Sequence, residues 1–189
     1  VYETRIEEAY RTYDSLSMKF DLVSLDGFTM GGALSLIVAS DRDVHKLAVL
    51  SPYFEVQKKW YYFGKPEKWA KRLSRVIPYI KKLKIGQIND PEGLERYSAY
   101  RKIPLQAVGE LTKVGKVAQE RIAHVVCPVL WIHSTGDIVS DFSLSQKSFE
   151  KVPSTDKHFI EYSKSNHIIL FDYDSNDAMN EVVGFLVRD

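Results

Sequence analysis

The sequence predicts an α/β fold, a mainly parallel sheet flanked by helices with a small helical insertion, and three observations carry that prediction. Four short runs are apolar or β-rich: Phe20 to Leu25, Lys46 to Leu50, Val129 to His133 and Lys157 to Tyr162. They lack the strict alternation of a half-solvated sheet, and strands of that kind are buried on both faces. Helical patterns separate them, so a parallel sheet covered by helices is the economical architecture. With 189 residues, 44% of them hydrophobic, the chain can bury a sizeable core without disulfides or a metal.

The elements follow in order. Between Thr4 and Met18, Ile6, Ala9, Tyr10, Tyr13 and Leu16 recur at spacings of three and four, an amphipathic helix pattern. Phe20 to Leu25 reads as a strand that stops at Asp26-Gly27, and the Ala/Leu/Ile-rich stretch from Met30 reads as a mostly buried helix ending near Asp41. Lys46 to Leu50 is the second strand. From about Tyr53 to Val125 the rhythm breaks: this segment is rich in Lys, Arg and aromatics, holds no convincing strand, and carries helical patterns over Glu67 to Leu83, Pro91 to Tyr100 and Pro104 to Ala123. We read it as an insertion between two core strands, which divides the chain into core residues 1–52, an insertion at 53–125 and core residues 126–189. Its aromatic cluster, Trp60, Tyr61, Tyr62, Phe63 and Trp69, serves either to glue the insertion to the core or to line a substrate pocket. A last helix pattern, Ala178, Val182, Val183, Phe185 and Leu186, closes the chain.

Charge and composition narrow the function. Lys and Arg total 26 against 25 Asp and Glu, a formal charge of +1, so the electrostatic footprint of a nucleic-acid binder is missing. The single cysteine, Cys127, excludes an intrachain disulfide framework and a Cys-based zinc site, and gives a reducing cytoplasm a slight edge. No run approaches the roughly 18 apolar residues of a spanning helix, so integral membrane contact is not expected. Nothing in the sequence calls for a cofactor or a metal.

The informative segment is Gly27-Phe28-Thr29-Met30-Gly31-Gly32, between a strand and a helix. It matches the G-x-S-x-G nucleophile elbow, with Thr29 at the nucleophile's place. In an elbow the central residue takes a strained backbone that lifts its hydroxyl to the sheet's C-terminal edge, and side chains at Gly27 or Gly31 would collide with neighbouring backbone. The following helix points its positive end at the reaction centre and places the Met30 N–H as one oxyanion donor. A phosphate cradle or a plain packing turn is the alternative, but neither G-x-G-x-x-G nor the Lys-Ser/Thr pair of a P-loop is present.

An elbow needs a base and a group to orient it. Of five histidines, His133 and His158 lie inside strand patterns and His45 and His124 sit beside strand starts, on the edge opposite the elbow; these read as structural or surface residues. Only His167 follows a strand, in the polar turn Ser163 to His167. Asp137 follows the strand Val129 to His133 through Ser134-Thr135-Gly136, at the same edge, with Asp141 and Asp172 as weaker candidates for the acid. The order Thr29, Asp137, His167 is the nucleophile, acid, histidine order of hydrolases built on such a sheet.

Taken together, D-L-V-S-L-D-G-F-T-M-G-G-A-L-S-L, C-P-V-L-W-I-H-S-T-G-D-I-V and S-K-S-N-H-I-I-L-F-D resemble the α/β-hydrolase superfamily, specifically its bacterial carboxylesterase and monoacylglycerol lipase group. The resemblance covers essentially the whole chain. It implies a cap over the site formed by the insertion, with Phe28, Trp60 and Tyr61 touching substrate, and a small-molecule ester or monoacylglycerol as that substrate. The sequence departs from the group twice. The group's elbow carries Ser, whereas Thr29 adds a methyl at Cβ, and a β-branched residue at positive φ is an outlier. No H-G-x motif supplies a second oxyanion donor, so the N-terminal part of the fold is expected outside this chain. Two readings therefore stand: an ester hydrolase acting through an acyl-enzyme on Thr29, and a non-catalytic scaffold that binds a small apolar ligand. Haloperoxidase and acyltransferase chemistry share the same triad.

Overall fold

The computed structural model describes residues 2–55, 79–81, 87–98 and 102–188. Helix α1 (Tyr2–Ser17) leads to strand β1 (Leu25–Phe28), helix α2 (Met30–Asp41) and strand β2 (Leu47–Leu50). A short strand pair, β3 (Tyr79–Lys81) and β4 (Lys102–Pro104), brackets helix α3 (Pro91–Arg96), and helix α4 (Leu105–Arg121) follows. Strand β5 (Val129–Ser134), helix α5 (Phe142–Glu150), strand β6 (Lys157–Tyr162) and helix α6 (Ser175–Val187) complete the chain.

The main sheet is parallel throughout, in the order β1-β2-β5-β6. Every residue of β2 and β5 is buried, which accounts for their unbroken apolar sequences. Side chains still alternate between two buried faces. Leu47, Val49, Val129 and Trp131 enter one core with residues of α1, α2 and α4, while Ala48, Leu50, Leu130 and Ile132 meet Ala178 and Val182 of α6 in a second core. Burying a Leu or Val side chain fully stabilises the fold by about 1.5–3 kcal/mol, so these central strands are its anchor.

Three boundaries depart from expectation. The first strand runs from Leu25 through Gly27 to Phe28 instead of ending at Leu25, because its ladder starts where Leu25 meets Leu47. Phe20 and Leu22, which gave the earlier run its β-rich look, are 59% and 67% exposed. The segment after Tyr53 does contain strands: β3 and β4 pair antiparallel, Tyr79 opposite Pro104 and Lys81 opposite Lys102, where one helix was expected from Glu67 to Leu83. Helix α3 stops at Arg96, short of Tyr100, after Asp90 caps its start through the Glu92 N–H. Helix α4 buries Val114 and Ala118 in the core with α2, so the C-terminal end of the 53–125 segment covers the sheet. The aromatic cluster Trp60, Tyr61, Tyr62, Phe63 and Trp69 lies outside the described residues.

Glycine is required at one point of the β1–α2 turn, and the space is tight at a second. A Cβ built on Gly27 would sit 2.5 Å from the Gly31 carbonyl oxygen and 2.5 Å from Ser35 Oγ, and one on Gly32 would sit 3.0 Å from the Gly27 carbonyl oxygen. Gly31 departs from expectation: among the described residues nothing comes within 4 Å of its Cβ position, so the tight glycine partner of Gly27 is Gly32. Gly27→Ala is expected to cost about 3 kcal/mol, since the Gly31 carbonyl and the Ser35 hydroxyl of α2 must both give way. A denaturant midpoint measured for that variant checks it.

Candidate active site

Parallel strands deliver their following loops to one edge, and at such an edge open α/β sheets carry their sites. Thr29 follows β1, Asp137 follows β5 and His167 follows β6, so three residues far apart in sequence arrive together. Thr29 has φ 51° and ψ −110°, the positive φ expected of an elbow. Its backbone is held on both sides: its N–H donates to the Leu50 carbonyl at 3.0 Å, and its carbonyl accepts from the Tyr53 N–H at 3.1 Å.

The two ring nitrogens of His167 face the other two residues. Thr29 Oγ1 lies 3.2 Å from His167 Nε2, and Asp137 Oδ2 lies 2.8 Å from His167 Nδ1. An ionised carboxylate only accepts, so Nδ1 carries the proton toward Asp137 and Nε2 is the acceptor for the Thr29 hydroxyl. Asp137 is 1% exposed and His167 4%. The other carboxylate oxygen, Oδ1, accepts the Val139 N–H at 2.7 Å and the Ser140 N–H at 2.9 Å. Burial alone would push this carboxyl up, but hydrogen bonds from His133 and His167 outweigh it and hold Asp137 well below the usual carboxylate range. Phe28 packs its ring on His167 with centroids 5.6 Å apart, and Met30, the first residue of α2, follows Thr29 directly.

The loops that carry the acid and the histidine are sewn together. Ser134 Oγ donates to the Ser165 carbonyl, and Asn166 Oδ1 accepts both the Ile138 N–H at 3.2 Å and the His167 N–H at 2.8 Å. Two carboxylates considered for the acid have other tasks. Asp141 caps α5 by accepting the Leu144 N–H at 2.9 Å. Asp172, 1% exposed, accepts four backbone N–H groups, from Asn89 (2.8 Å), Asp90 (2.9 Å), Asn166 (2.7 Å) and Tyr173 (2.9 Å). It clamps the His167 loop to the segment that precedes α3. Asp172→Ala leaves four donors without their acceptor, and is expected to cost at least about 3 kcal/mol. Thermal unfolding compared with the unaltered protein is the check.

His133 is the residue whose place here was not read from the sequence. It lies inside β5, yet its ring is fully buried and its Nε2 stands 3.0 Å from Asp137 Oδ2. Its position four residues before Asp137, at the C-terminal end of a strand, was the available signal. His45, His124 and His158 lie away from this site: His124 contacts the Arg121 carbonyl and His158 contacts Asp156. Among the described residues no group of three or more His, Cys, Asp or Glu could hold a metal, and no helix is long and apolar enough to cross a membrane.

No curated protein matches the chain in sequence. Among solved structures, a monoacylglycerol lipase of Paleococcus ferrophilus superposes with a TM-score of 0.79 at 22% identity, over 96% of this chain and 75% of that one. A soluble variant of the Saccharomyces cerevisiae monoglyceride lipase gives 0.77 at 18%, over 99% and 68%. An esterase of Exiguobacterium antarcticum gives 0.62 at 16%, over 100% and 74%. At these identities the likeness is one of fold. The family model described as serine aminopeptidase, S33, matches residues 19–174, a span that contains Thr29, Asp137 and His167. The chain belongs to this S33 family of α/β hydrolases.

Proposed function

We propose that the protein is a carboxylic ester hydrolase of the carboxylesterase or monoacylglycerol lipase type, with Thr29 in the place of the nucleophilic serine. The observation that carries this reading is the continuous path from Thr29 Oγ1 through the His167 ring to Asp137, at 3.2 and 2.8 Å. Contacts of that length lie within the reach that general-base catalysis requires.

In this reading Thr29 Oγ1 attacks the ester carbonyl carbon while its proton passes to His167 Nε2. The carbonyl oxygen becomes an oxyanion. As the first residue of α2, Met30 has a backbone N–H with no acceptor within the helix, at the helix's positive end, and it donates to that oxyanion. Collapse of the tetrahedral species expels the alcohol, which takes the proton from His167 and leaves an acyl group on Thr29. Water then repeats the sequence, giving its proton to His167 and releasing the acid. Asp137 keeps the proton of the resting ring on Nδ1 and stabilises the imidazolium in both halves of the cycle.

A cavity of about 380 Å³ beside the elbow has Met30 in its wall, with Pro104, Ala107, Leu111 and Val114 as apolar lining and Tyr2, Arg5, Gln106 and Glu110 as polar lining; Thr29 and His167 are not among its wall residues. In this reading Phe28, whose ring packs on His167, touches the substrate; Trp60 and Tyr61, named for the same role from the sequence, lie outside the described residues. The test is direct. The full-length protein is mixed with a series of acyl esters, quenched, and its Thr29 peptide examined by mass spectrometry. The peptide should gain the mass of the acyl group, and an acyl group found elsewhere would reject Thr29 as nucleophile.

A second reading, a non-catalytic scaffold binding a small apolar ligand, is favoured by one observation, the β-branched residue at φ 51°. Stoichiometric ligand binding without any acyl adduct or turnover distinguishes it.

A further inference from the structure

One oxygen of the acid serves two histidines. His133 Nε2 and His167 Nδ1 approach Asp137 Oδ2 at 3.0 and 2.8 Å, and behind His133 the contacts continue into the core. His133 Nδ1 lies 2.7 Å from Ser145 Oγ, and Trp131 Nε1 lies 2.8 Å from that same oxygen. This chain has a built-in direction. A carboxylate only accepts, so the proton of the neutral His133 ring sits on Nε2 and is donated to Asp137; the bare Nδ1 then accepts the hydrogen bond of the Ser145 hydroxyl, whose oxygen accepts from the Trp131 N–H. Trp131 and His133 are two residues apart on β5 and share a face, and Phe142, three residues before Ser145 on α5, sets its ring edge-on to His133 at 5.6 Å. The ring of His133 is fully buried and reaches no solvent.

We propose that His133 is a positioning residue for His167, which, by occupying the second lone pair of Asp137 Oδ2, confines the His167 N–H to the direction that aims Nε2 at Thr29. A carboxylate oxygen with one donor removed offers two lone pairs to the remaining one, and a ring that can choose between them does not hold a single aim. The ring nitrogens of His133 meet Ser145 and Asp137 and not Thr29, so it acts only through the shared oxygen. The inference rests on the ester hydrolase reading for its kinetic consequence but not for its structural one.

Two substitutions in the full-length protein separate positioning from packing. His133→Phe fills the ring's space beside Phe142 and removes the donor; His133→Gln loses the ring and keeps an N–H in reach of Oδ2. Proton NMR of the unreacted protein should show a solvent-protected His167 Nδ1–H resonance in the parent and in His133→Gln, and its loss in His133→Phe. In the Thr29→Ser background, kcat should fall about 10-fold in His133→Phe, the effect of losing one charge-assisted hydrogen bond. KM should be unchanged, and His133→Gln should restore most of the rate. Equal spectra in the two variants, or a larger loss in His133→Gln, would overturn the proposal in favour of packing. Should His133→Phe not fold, the nitrogen spectrum of the parent decides: a proton on Nε2 and a bare Nδ1 at His133 support the inference, and the opposite tautomer refutes it. If no ester is turned over by the Thr29→Ser protein, yet the His167 resonance is lost in His133→Phe and kept in His133→Gln, the ester hydrolase reading fails and the positioning by His133 stands.

Discussion

Thr29→Ser is expected to raise ester hydrolysis by at least about 10²-fold, comparable to restoring one transition-state contact. Thr29 stands at φ 51° and ψ −110°, in a turn whose backbone is pinned from both sides by Leu50 and Tyr53. The backbone therefore cannot relax toward the conformations a β-branched side chain prefers. Its γ-methyl must occupy one of the three staggered positions around Cβ while Oγ1 faces His167, and an ester carbonyl has to approach past it. Serine keeps the hydroxyl and the strained turn and removes only the methyl. The gain should appear in kcat, accompanied by labelling with a fluorophosphonate probe, and should vanish when His167 is also changed to Ala, because the hydroxyl then has no base. Neither turnover on any ester nor probe labelling, in a folded protein, would leave the binding scaffold as the better description.

The same turn shows what could be read in the sequence and what could not. Glycine punctuation, the strand-to-helix context and the order of strand-end residues are one-dimensional signals, so the meeting of Thr29, Asp137 and His167 at one sheet edge was legible in the sequence. The sheet was legible for a related reason: Leu47 to Leu50 and Val129 to Ser134 are apolar without interruption because both their faces are covered. What stayed hidden depends on partners distant in sequence. Strand β1 starts at Leu25 only because Leu47 lies opposite. The pairing of Tyr79–Lys81 with Lys102–Pro104 sets two runs of three residues against each other, too short for a local period to mark them. The tight glycine beside Gly27 is Gly32 and not Gly31, a matter of which Cβ position faces the neighbouring backbone. His133 was the costliest omission. Within a fully buried strand, a histidine reads as a satisfied core residue, and so it is, except that one of the groups satisfying it is the carboxylate that also orients His167.

Asp137→Asn should be the most damaging conservative change in the site, lowering kcat by about 10⁴ with little effect on KM, measured in the Thr29→Ser background. The carboxylate accepts four hydrogen bonds, two on each oxygen, and every one comes from an N–H donor. An amide has one oxygen and one NH₂, so either orientation sets donor against donors. With the NH₂ toward the histidines, His167 must turn its proton to Nε2 and can no longer accept from the nucleophile. With the oxygen there instead, the NH₂ meets the Val139 and Ser140 N–H groups, and the turn carrying residue 137 is forced open. The other carboxylates considered for this role cannot take over, since Asp141 is committed to its helix cap and Asp172 to four backbone donors. Stability should report the same loss with a definite sign. The Asp137 carboxyl is held below its ordinary value of 3.8, so its contribution to folding is complete above that pH and is lost progressively as pH falls below it toward the folded-state value. The asparagine variant lacks this contribution at every pH. The gap in unfolding midpoint between the two proteins should thus be widest near neutrality and narrow below pH 3.8. A gap that stays constant on acidification would mean that the buried carboxylate is not ionised, and activity within tenfold of the parent would assign the orienting role to another group.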